Sequence, residues 1–400
     1  MRPLGLNRTG SSAPRIACEN GSLIDRTGRM RIFIDAIPLL VRSAGVKNYL
    51  FHWIVHLRRL LGDEQVRLFP FLDRLPDLDH QGSAADPPGT LARQALLFAL
   101  NLWPNHAADL MAPPDGIFHA TKLLYPPRRL RLTATLHDMT CWLLPEFHQS
   151  ANVAAEKRFA ERIWKQAAGL VAVSENTRRD AVKVLDLNPE AIQVICPGVA
   201  EPFFAAAAQT SAPVRLKYGL RRPYALYVGT VEPRKNLDRL LDAWQTLPAS
   251  VREQFDLVIA GPEGWQSAGT LARLRAPAHG VRYLAYVPEP DLPGITAGAT
   301  VFVYPSLYEG FGFPVAQAMA AGVPVITSNL SSLPEVTGGA AALIDPHSPA
   351  ELRAALDRLL TSPATRAQLA AAGRTQAQRF RWDTCARRSL EFFEQILGRA

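Results

Sequence analysis

Short apolar runs alternate with stretches in which apolar residues return every three or four positions, from Met30 to the end of the chain. Runs of about four to eight apolar residues bounded by turn formers read as buried strands, and a period of about 3.6 reads as a helix with one face inside. In the first half the runs are Arg31–Asp35, Gly116–His119, Leu132–Leu136, Leu170–Val173 and Gln193–Ile195. Leu50, Trp53, Ile54, Leu57, Leu60 and Leu61 trace a helix face after the first of them. In the second half the runs are Tyr224–Val228, Phe255–Ala260, Val281–Leu284, Thr300–Tyr304, Val323–Thr327 and Ala341–Ile344. Helix faces follow at Leu237, Leu240, Leu241, Trp244 and Leu247, and at Leu352, Leu356, Leu359 and Leu360. Ser348, Pro349 and Glu351 form a capping box with proline at the first helical position.

Strand and helix in alternation predict parallel sheets covered by helices on both faces. The pattern breaks over Phe203–Pro223, with an alanine run, Thr210, Ser211, Pro213 and the pair Arg221–Arg222. That stretch reads as the connection between two domains, and a chain of 400 residues is long enough for both. Residues 1–29 are polar and rich in Arg, Ser and Gly, and read as a disordered extension or an upstream start, with Met30 opening the first strand. Two parallel α/β domains facing each other leave a cleft, and ligands sit beyond the carboxyl ends of the strands.

Composition narrows the class. The apolar share of 48% and charged share of 20% are those of a globular protein, and no run approaches the ~18 apolar residues of a membrane helix. Cys18, Cys141, Cys196 and Cys385 are scattered without metal-ligand spacing, so reduced thiols in a cytoplasm are expected. The net charge of +8 suits anionic partners: a nucleoside diphosphate, nucleic acid or lipid headgroups. The basic residues are dispersed and not interleaved with aromatics, which argues against nucleic acid.

Three segments carry candidate chemistry. Gly229-Thr230-Val231-Glu232-Pro233-Arg234-Lys235-Asn236 follows a strand and precedes a helix. Two cations at a helix start can hold a diphosphate, where the helix dipole and free N–H groups already favour an anion. The plainer alternative is a solvated Arg–Lys pair with Asn236 as helix cap. Tyr304 to Pro314 joins a strand to a helix predicted from Val315 to Ala321, through a loop containing Gly310 and Gly312. Glu309 sits there with no local cation, so its carboxylate is available to accept from sugar or ribose hydroxyls. The alternative is an exposed turn. His137-Asp138 ends the Leu132–Leu136 strand, and the alternative for that histidine is a satisfied core residue.

The run from Tyr227 to Pro346 resembles the donor-binding half of glycosyltransferase family four, through YVGTVEPRKNLDRLLDAW, YPSLYEGFGFPVAQAMAAGVPVITS and SSLPEV. A weaker resemblance runs from Met30 to Val199 through SAGVKNYL, LHD, VSENTRRD and ICPGV. The resemblance implies a retaining enzyme of the GT-B fold, two Rossmann-like domains with a C-terminal helix crossing back onto the first. The division expected is residues 1–29 as extension, 30–202 as acceptor domain, 203–223 as linker, 224–379 as donor domain and 380–400 as returning helix.

By the same resemblance Lys235 holds the donor diphosphate with Arg234 beside it, and Glu309 takes hydroxyls of the transferred sugar. The backbone of Gly312, Phe313 and Pro314 lines that pocket. Gly45, on the first loop, lets backbone approach the diphosphate, His137 lies near the reacting sugar, and Val287 is the expected neighbour of the base. Two positions depart from the family. Its second glutamate, separated from the first by seven residues, is Gln317 here, and an amide can accept one hydrogen bond and donate another. Thr230 stands where many members carry a second cation.

The function implied is transfer of a hexose, in the first instance mannose from GDP-mannose, to a saccharide or lipid-linked acceptor in bacterial surface polysaccharide synthesis. UDP-glucose, UDP-N-acetylhexosamine and dTDP-rhamnose are alternative donors. A nucleotide-sugar 2-epimerase and an inactive binding subunit of an assembly complex are the rival classes. The nucleotide-sugar is a co-substrate. No cofactor or metal is expected, because no clustered Cys/His or paired-carboxylate motif appears and Arg234 and Lys235 can neutralise the departing diphosphate. The expected location is the cytoplasm, with peripheral contact at the inner face of the cell membrane.

Overall fold

The computed structural model describes residues 30–43, 45–72, 75–102, 107–113, 115–206 and 211–398. The expectations for residues 1–29, and for Thr210 in the connection, lie outside them. The chain forms two six-stranded sheets. The first holds β1 (Ile32–Asp35), β2 (Val66–Phe69), β3 (Ile117–Ala120), β4 (Arg131–Leu136), β5 (Gly169–Ala172) and β6 (Ile192–Val194), in the order β2-β1-β3-β4-β5-β6. The second holds β7 (Tyr224–Val228), β8 (Asp256–Ala260), β9 (Val281–Tyr283), β10 (Val301–Tyr304), β11 (Val325–Ser328) and β12 (Ala342–Ile344), in the order β12-β11-β10-β7-β8-β9. Every pairing is parallel. Parallel strands buried on both faces need apolar residues at successive positions, which explains why the runs were legible as runs.

Each sheet reverses its strand order once: between β1 and β3, and between β7 and β10. A crevice opens beyond the carboxyl ends at such a switch point. At the first, Asp35 is fully buried and its carboxylate accepts from the main-chain N–H groups of Ile37, Thr121, Lys122 and Leu123. Burial pushes its pKa up while those four donors pull it down. It stitches the loop after β3 to the end of β1.

The helices used below are α1 (Gly45–Leu61), α2 (Pro87–Leu102), α3 (Ala107–Met111), α4 (Glu175–Leu185), α5 (Leu237–Gln245), α6 (Phe313–Ala320), α7 (Leu333–Thr337), α8 (Pro349–Thr361) and α9 (Trp382–Gly398). The apolar stripe of α1 buries Tyr49, Leu50, Trp53, Ile54 and Leu57. Helix α9 lies on it, where Trp53 Nε1 donates to Ser389 Oγ at 2.9 Å. At α8, Ser348 Oγ accepts from Glu351 N as a capping box requires. Glu351 turns instead to the N–H of Asp345. Among the described residues no helix is long and apolar enough to cross a membrane.

Several boundaries differ from expectation. Strand β2 was not anticipated, because Val66-Arg67-Leu68-Phe69 offers one short alternation at a sheet edge. Nor were α2 and α3. The connection expected over Phe203–Pro223 is partly helical, with helices at Glu201–Ala205 and Ala212–Lys217. Strand β11 starts at Val325 rather than Val323, because Gly322 turns left-handed (φ +70) and Val323 N closes that turn on Ala318 O. Helix α6 starts at Phe313, two residues before Val315, so Pro314 occupies its first turn, where no N–H is required.

Candidate active site

Both loops that flank the second switch point carry the predicted charges. After β7, Pro233 opens a tight turn over Pro233–Lys235, and Asn236 follows in the left-handed conformation (φ 60) that asparagine tolerates. The Asn236 side chain does not cap α5. Its Nδ2 donates to Pro305 O at 3.1 Å and Pro346 O at 2.8 Å, tying this turn to the loop after β10. Lys235 is 9% exposed, so the alternative of a solvated Arg–Lys pair fails.

The expectation that Glu309 has no local cation is corrected. Both cations come from 75 and 74 positions upstream, across the switch point. Lys235 Nζ reaches Glu309 Oε1 at 2.5 Å, and Arg234 Nη1 reaches Oε2 at 3.4 Å. Ser306 Oγ (2.7 Å) and the Tyr304 hydroxyl (2.9 Å) also donate to Oε1. Arg234 is held by Glu232 at 2.7 Å and by the Tyr308 carbonyl at 2.6 Å. Burial opposes ionisation of Glu309, but Lys235 and Arg234, with hydrogen bonds from Lys235 and Ser306, hold its pKa down at about 2. Burial likewise disfavours the charge on Arg234, and Glu309 and Glu232 outweigh it and raise its pKa. The result is a buried, fully ionised cluster at the mouth of the second sheet. An incoming anion can compete for its cations.

The first domain meets this loop at Gly310. A Cβ there would stand 1.7 Å from the carbonyl oxygen of His137, so the two main chains touch and only glycine fits. Ser174 Oγ (2.6 Å) and Thr177 Oγ1 (3.1 Å), at the start of α4, both donate to Gly310 O. Glu335 of α7 accepts from the main-chain N–H groups of Glu175 (2.9 Å) and Asn176 (3.1 Å), an acid seated on the positive end of α4. The Tyr308 hydroxyl donates to Asp180 at 2.5 Å. The sequence showed VSENTRRD and SSLPEV only as family wording; their contact across the cleft had no local signal.

His137 therefore lies beside the Glu309 loop, with its ring edge-on to Tyr49 at 5.0 Å. Burial pushes its pKa down to about 4, so it is a neutral imidazole at neutral pH. Its neighbour Asp138 is spent on structure: Oδ1 accepts from the Thr140 N–H and hydroxyl, starting the short helix Thr140–Leu143. Gly45 is not on a loop. It is the exposed first residue of α1, and beyond its own helix and chain neighbours nothing lies within 4 Å of a Cβ placed there, so it offers main-chain N–H groups at a helix start. Gly312, left-handed at φ 100, sets the start of α6, and a Cβ there would press on Leu333 at 2.7 Å. Phe313 and Pro314 form the first turn of α6, and the Phe313 ring stacks on Trp382 at 6.3 Å.

Thr230 is half-buried, and its carbonyl faces the Tyr227 hydroxyl at 3.5 Å. The Val287 side chain is 4% exposed and belongs to the core. Gln317 is the fifth residue of α6 and half-buried, and among the described residues its amide has no hydrogen bond. Also among the described residues, no three His, Cys, Asp or Glu side chains gather as a metal site.

Comparison with known proteins adds the following. Residues 43–201 match Glycosyltransferase Family 4, and residues 213–376 match Glycosyl transferases group 1. The chain is 32% identical to the O-antigen chain mannosyltransferase B of Escherichia coli, over 92% of this chain and 100% of that one. Among solved structures it is similar to sucrose-phosphate synthase from Thermosynechococcus elongatus (TM-score 0.68, 18% identity, 93% of this chain and 100% of that one). It is also similar to Anabaena HepE in complex with UDP-glucose (TM-score 0.66, 18% identity, 92% and 99%). These two share the fold.

Proposed function

The chain belongs to glycosyltransferase family four and is a glycosyltransferase; on that premise we propose that it moves mannose from GDP-mannose to a saccharide acceptor, lipid-linked, in synthesis of a bacterial surface polysaccharide. End-to-end similarity to an O-antigen mannosyltransferase supports the sugar and the setting. The observation that carries the chemistry is the buried Arg234–Lys235–Glu309 cluster flanking the switch point of the second sheet. Glu309 pairs with Lys235, and Glu232 and Glu309 together pair with Arg234. The donor diphosphate would take over the two cations, and Glu309, released from Lys235, would accept from hydroxyls of the transferred sugar.

Departure of the nucleoside diphosphate then concentrates negative charge beside Lys235 and Arg234, where a buried site makes each interaction strong. The sugar left behind is oxocarbenium-like. Attack on the face from which the diphosphate leaves retains the anomeric configuration. His137, neutral and at the junction of the two domains, stands where the acceptor would approach. The test is a thermal-shift panel of GDP, UDP and dTDP, followed by a transfer assay with the matching nucleotide-sugar. GDP is expected to stabilise most, and GDP-mannose to support transfer that survives chelation by EDTA. Stabilisation by UDP or dTDP alone overturns the donor. Activity lost to EDTA and restored by magnesium or manganese overturns the metal-independent chemistry.

A further inference from the structure

Helix α2 is apolar on both sides. Leu97 and Leu100 face the core, while Leu91 (69%), Phe98 (68%) and Leu102 (46%) are exposed. The last three, with exposed Ala95 between them, follow one helical face. Leu110 on α3 is 89% exposed and Phe71, next to α2, is 52% exposed. The single charged side chain within α2, Arg93, is withdrawn from that face: its guanidinium donates to the carbonyls of Pro70, Phe71 and Gly89. A helix apolar all round is ordinarily buried or in contact with lipid.

On the side of the Lys122–Arg131 segment the patch is bordered by cations, while the exposed Asp86 lies at the opposite end, before α2. The segment Lys122–Arg131 contains Lys122, Arg128, Arg129 and Arg131 and no carboxylate. It is fixed to both helices. Asn101 of α2 bonds Lys122 O and Leu124 N, and Asp109 of α3 accepts from Arg128. Arg158 and Arg162 bond the Tyr125 hydroxyl of the same segment, with Arg162 over the ring at 4.7 Å. On that side the acids Asp109 and Glu156 are each paired, to Arg128 and Lys122. An apolar helix face with cations along one side matches an anionic lipid surface.

We propose that the outer face of α2 and α3, with the Lys122–Arg131 segment, docks the first domain on an anionic membrane surface. Leu91, Phe98, Leu102 and Leu110 enter the headgroup boundary, and Arg128 and Arg129 lie at the phosphate level. This gives the proposed lipid-linked acceptor its approach, but the docking stands on the surface alone and needs no substrate.

The test is sedimentation of the full chain with phosphatidylcholine vesicles, with and without phosphatidylglycerol. The protein is expected to pellet with the anionic vesicles only and to be released by high salt. Leu91→Glu/Phe98→Glu is expected to weaken binding at least about tenfold. Arg129→Glu is expected to weaken it about fivefold. Melting curves of both variants stay with wild type, because the substituted side chains are exposed. Turnover on a water-soluble acceptor also stays with wild type, so failure of the donor reading appears in turnover and failure here appears in the pellet. Wild type that ignores both vesicles, or a Leu91→Glu/Phe98→Glu variant that binds like wild type, overturns the proposal. So does a wild-type dimer that this variant converts to monomer, since a second copy would then cover the face.

Discussion

The two sheets have the same strand count, the same direction and the same single reversal, yet opposite chemistry is buried beside them. Around the first, the buried Asp35 and Lys47 are each held by main-chain groups, and the other buried polar side chains are neutral. His119 bonds Thr133 and Thr135 at 3.0 Å each between Trp53 and Phe393, and His52 and His137 pack on Trp382 and Tyr49. Around the second lies a set of full charges, Arg234, Lys235, Glu232 and Glu309. On the proposed function, one architecture thus supports a half for a highly charged donor and a half for a neutral hydroxyl nucleophile. The difference resides in loops after the strands, where the fold leaves residue choice open.

Acid separates the halves most strongly. Burial depresses His137 and His52 to about 4 and His119 to about 3. Below the ordinary histidine value of 6.5 the unfolded chain takes up protons that the folded chain refuses, so stability falls as pH drops from there toward 4. At pH 5 each histidine costs on the order of 1–2 kcal/mol. Glu309 behaves oppositely: its contribution is complete above its ordinary 4.5 and is lost only as pH falls toward about 2. Hydrogen exchange near pH 5 is expected to quicken in β3, β4 and α1 while β7, β10 and α6 stay protected. Uniform loosening of both sheets contradicts the contrast.

Lys235→Ala comes next. Losing a charge-assisted contact to the departing diphosphate is expected to lower turnover by at least about thirtyfold, or ~2 kcal/mol. Turnover within threefold of wild type removes Lys235 from the chemistry. Gly310→Ala tests the junction. Its methyl would collide with His137 O, where the closed cleft leaves 1.7 Å, so the halves must separate. Transfer is expected to fall by about tenfold or more, since misplacement of reacting groups is costly, while nucleotide binding to the second half changes little. Equal losses in both would place the contact in the donor site.

The smallest effect is expected at Gln317. If its amide meets a ribose hydroxyl, Gln317→Glu gains a charge-assisted bond and tightens nucleotide binding by about 1 kcal/mol or less, against repulsion from the diphosphate. Calorimetry with ribo- and 2′-deoxynucleotides checks it. Weaker binding, or equal gains with both sugars, leaves Gln317 as a helix-surface residue.

Most of this contrast was legible only in part. Tyr224–Val228 was read to the residue because a five-residue apolar run between Pro223 and Gly229 has sharp ends. The EPRKN and EGFG loops declared themselves through cations and glycines next to strands. What no local pattern carries is that Glu309 would find Lys235, that Ser174 and Thr177 would hold the Gly310 carbonyl, or that Asp138 would be consumed by Thr140. The first depends on β7 and β10 becoming neighbours at a switch point, the second on how the two domains meet. The outward face of α2 was missed with the helix itself: apolar residues on both sides leave no clean amphipathic period to read.

The account rests on the claim that Lys235 is held by Glu309 until a diphosphate replaces it. Titration calorimetry of GDP into wild type, Lys235→Ala and Glu309→Ala tests that exchange. Lys235→Ala is expected to bind at least about thirtyfold more weakly. Glu309→Ala is expected to bind as well as wild type or better, because the competing carboxylate is gone, while its transfer activity collapses. Unchanged affinity in Lys235→Ala, or affinity lost in Glu309→Ala in step with turnover, contradicts the exchange.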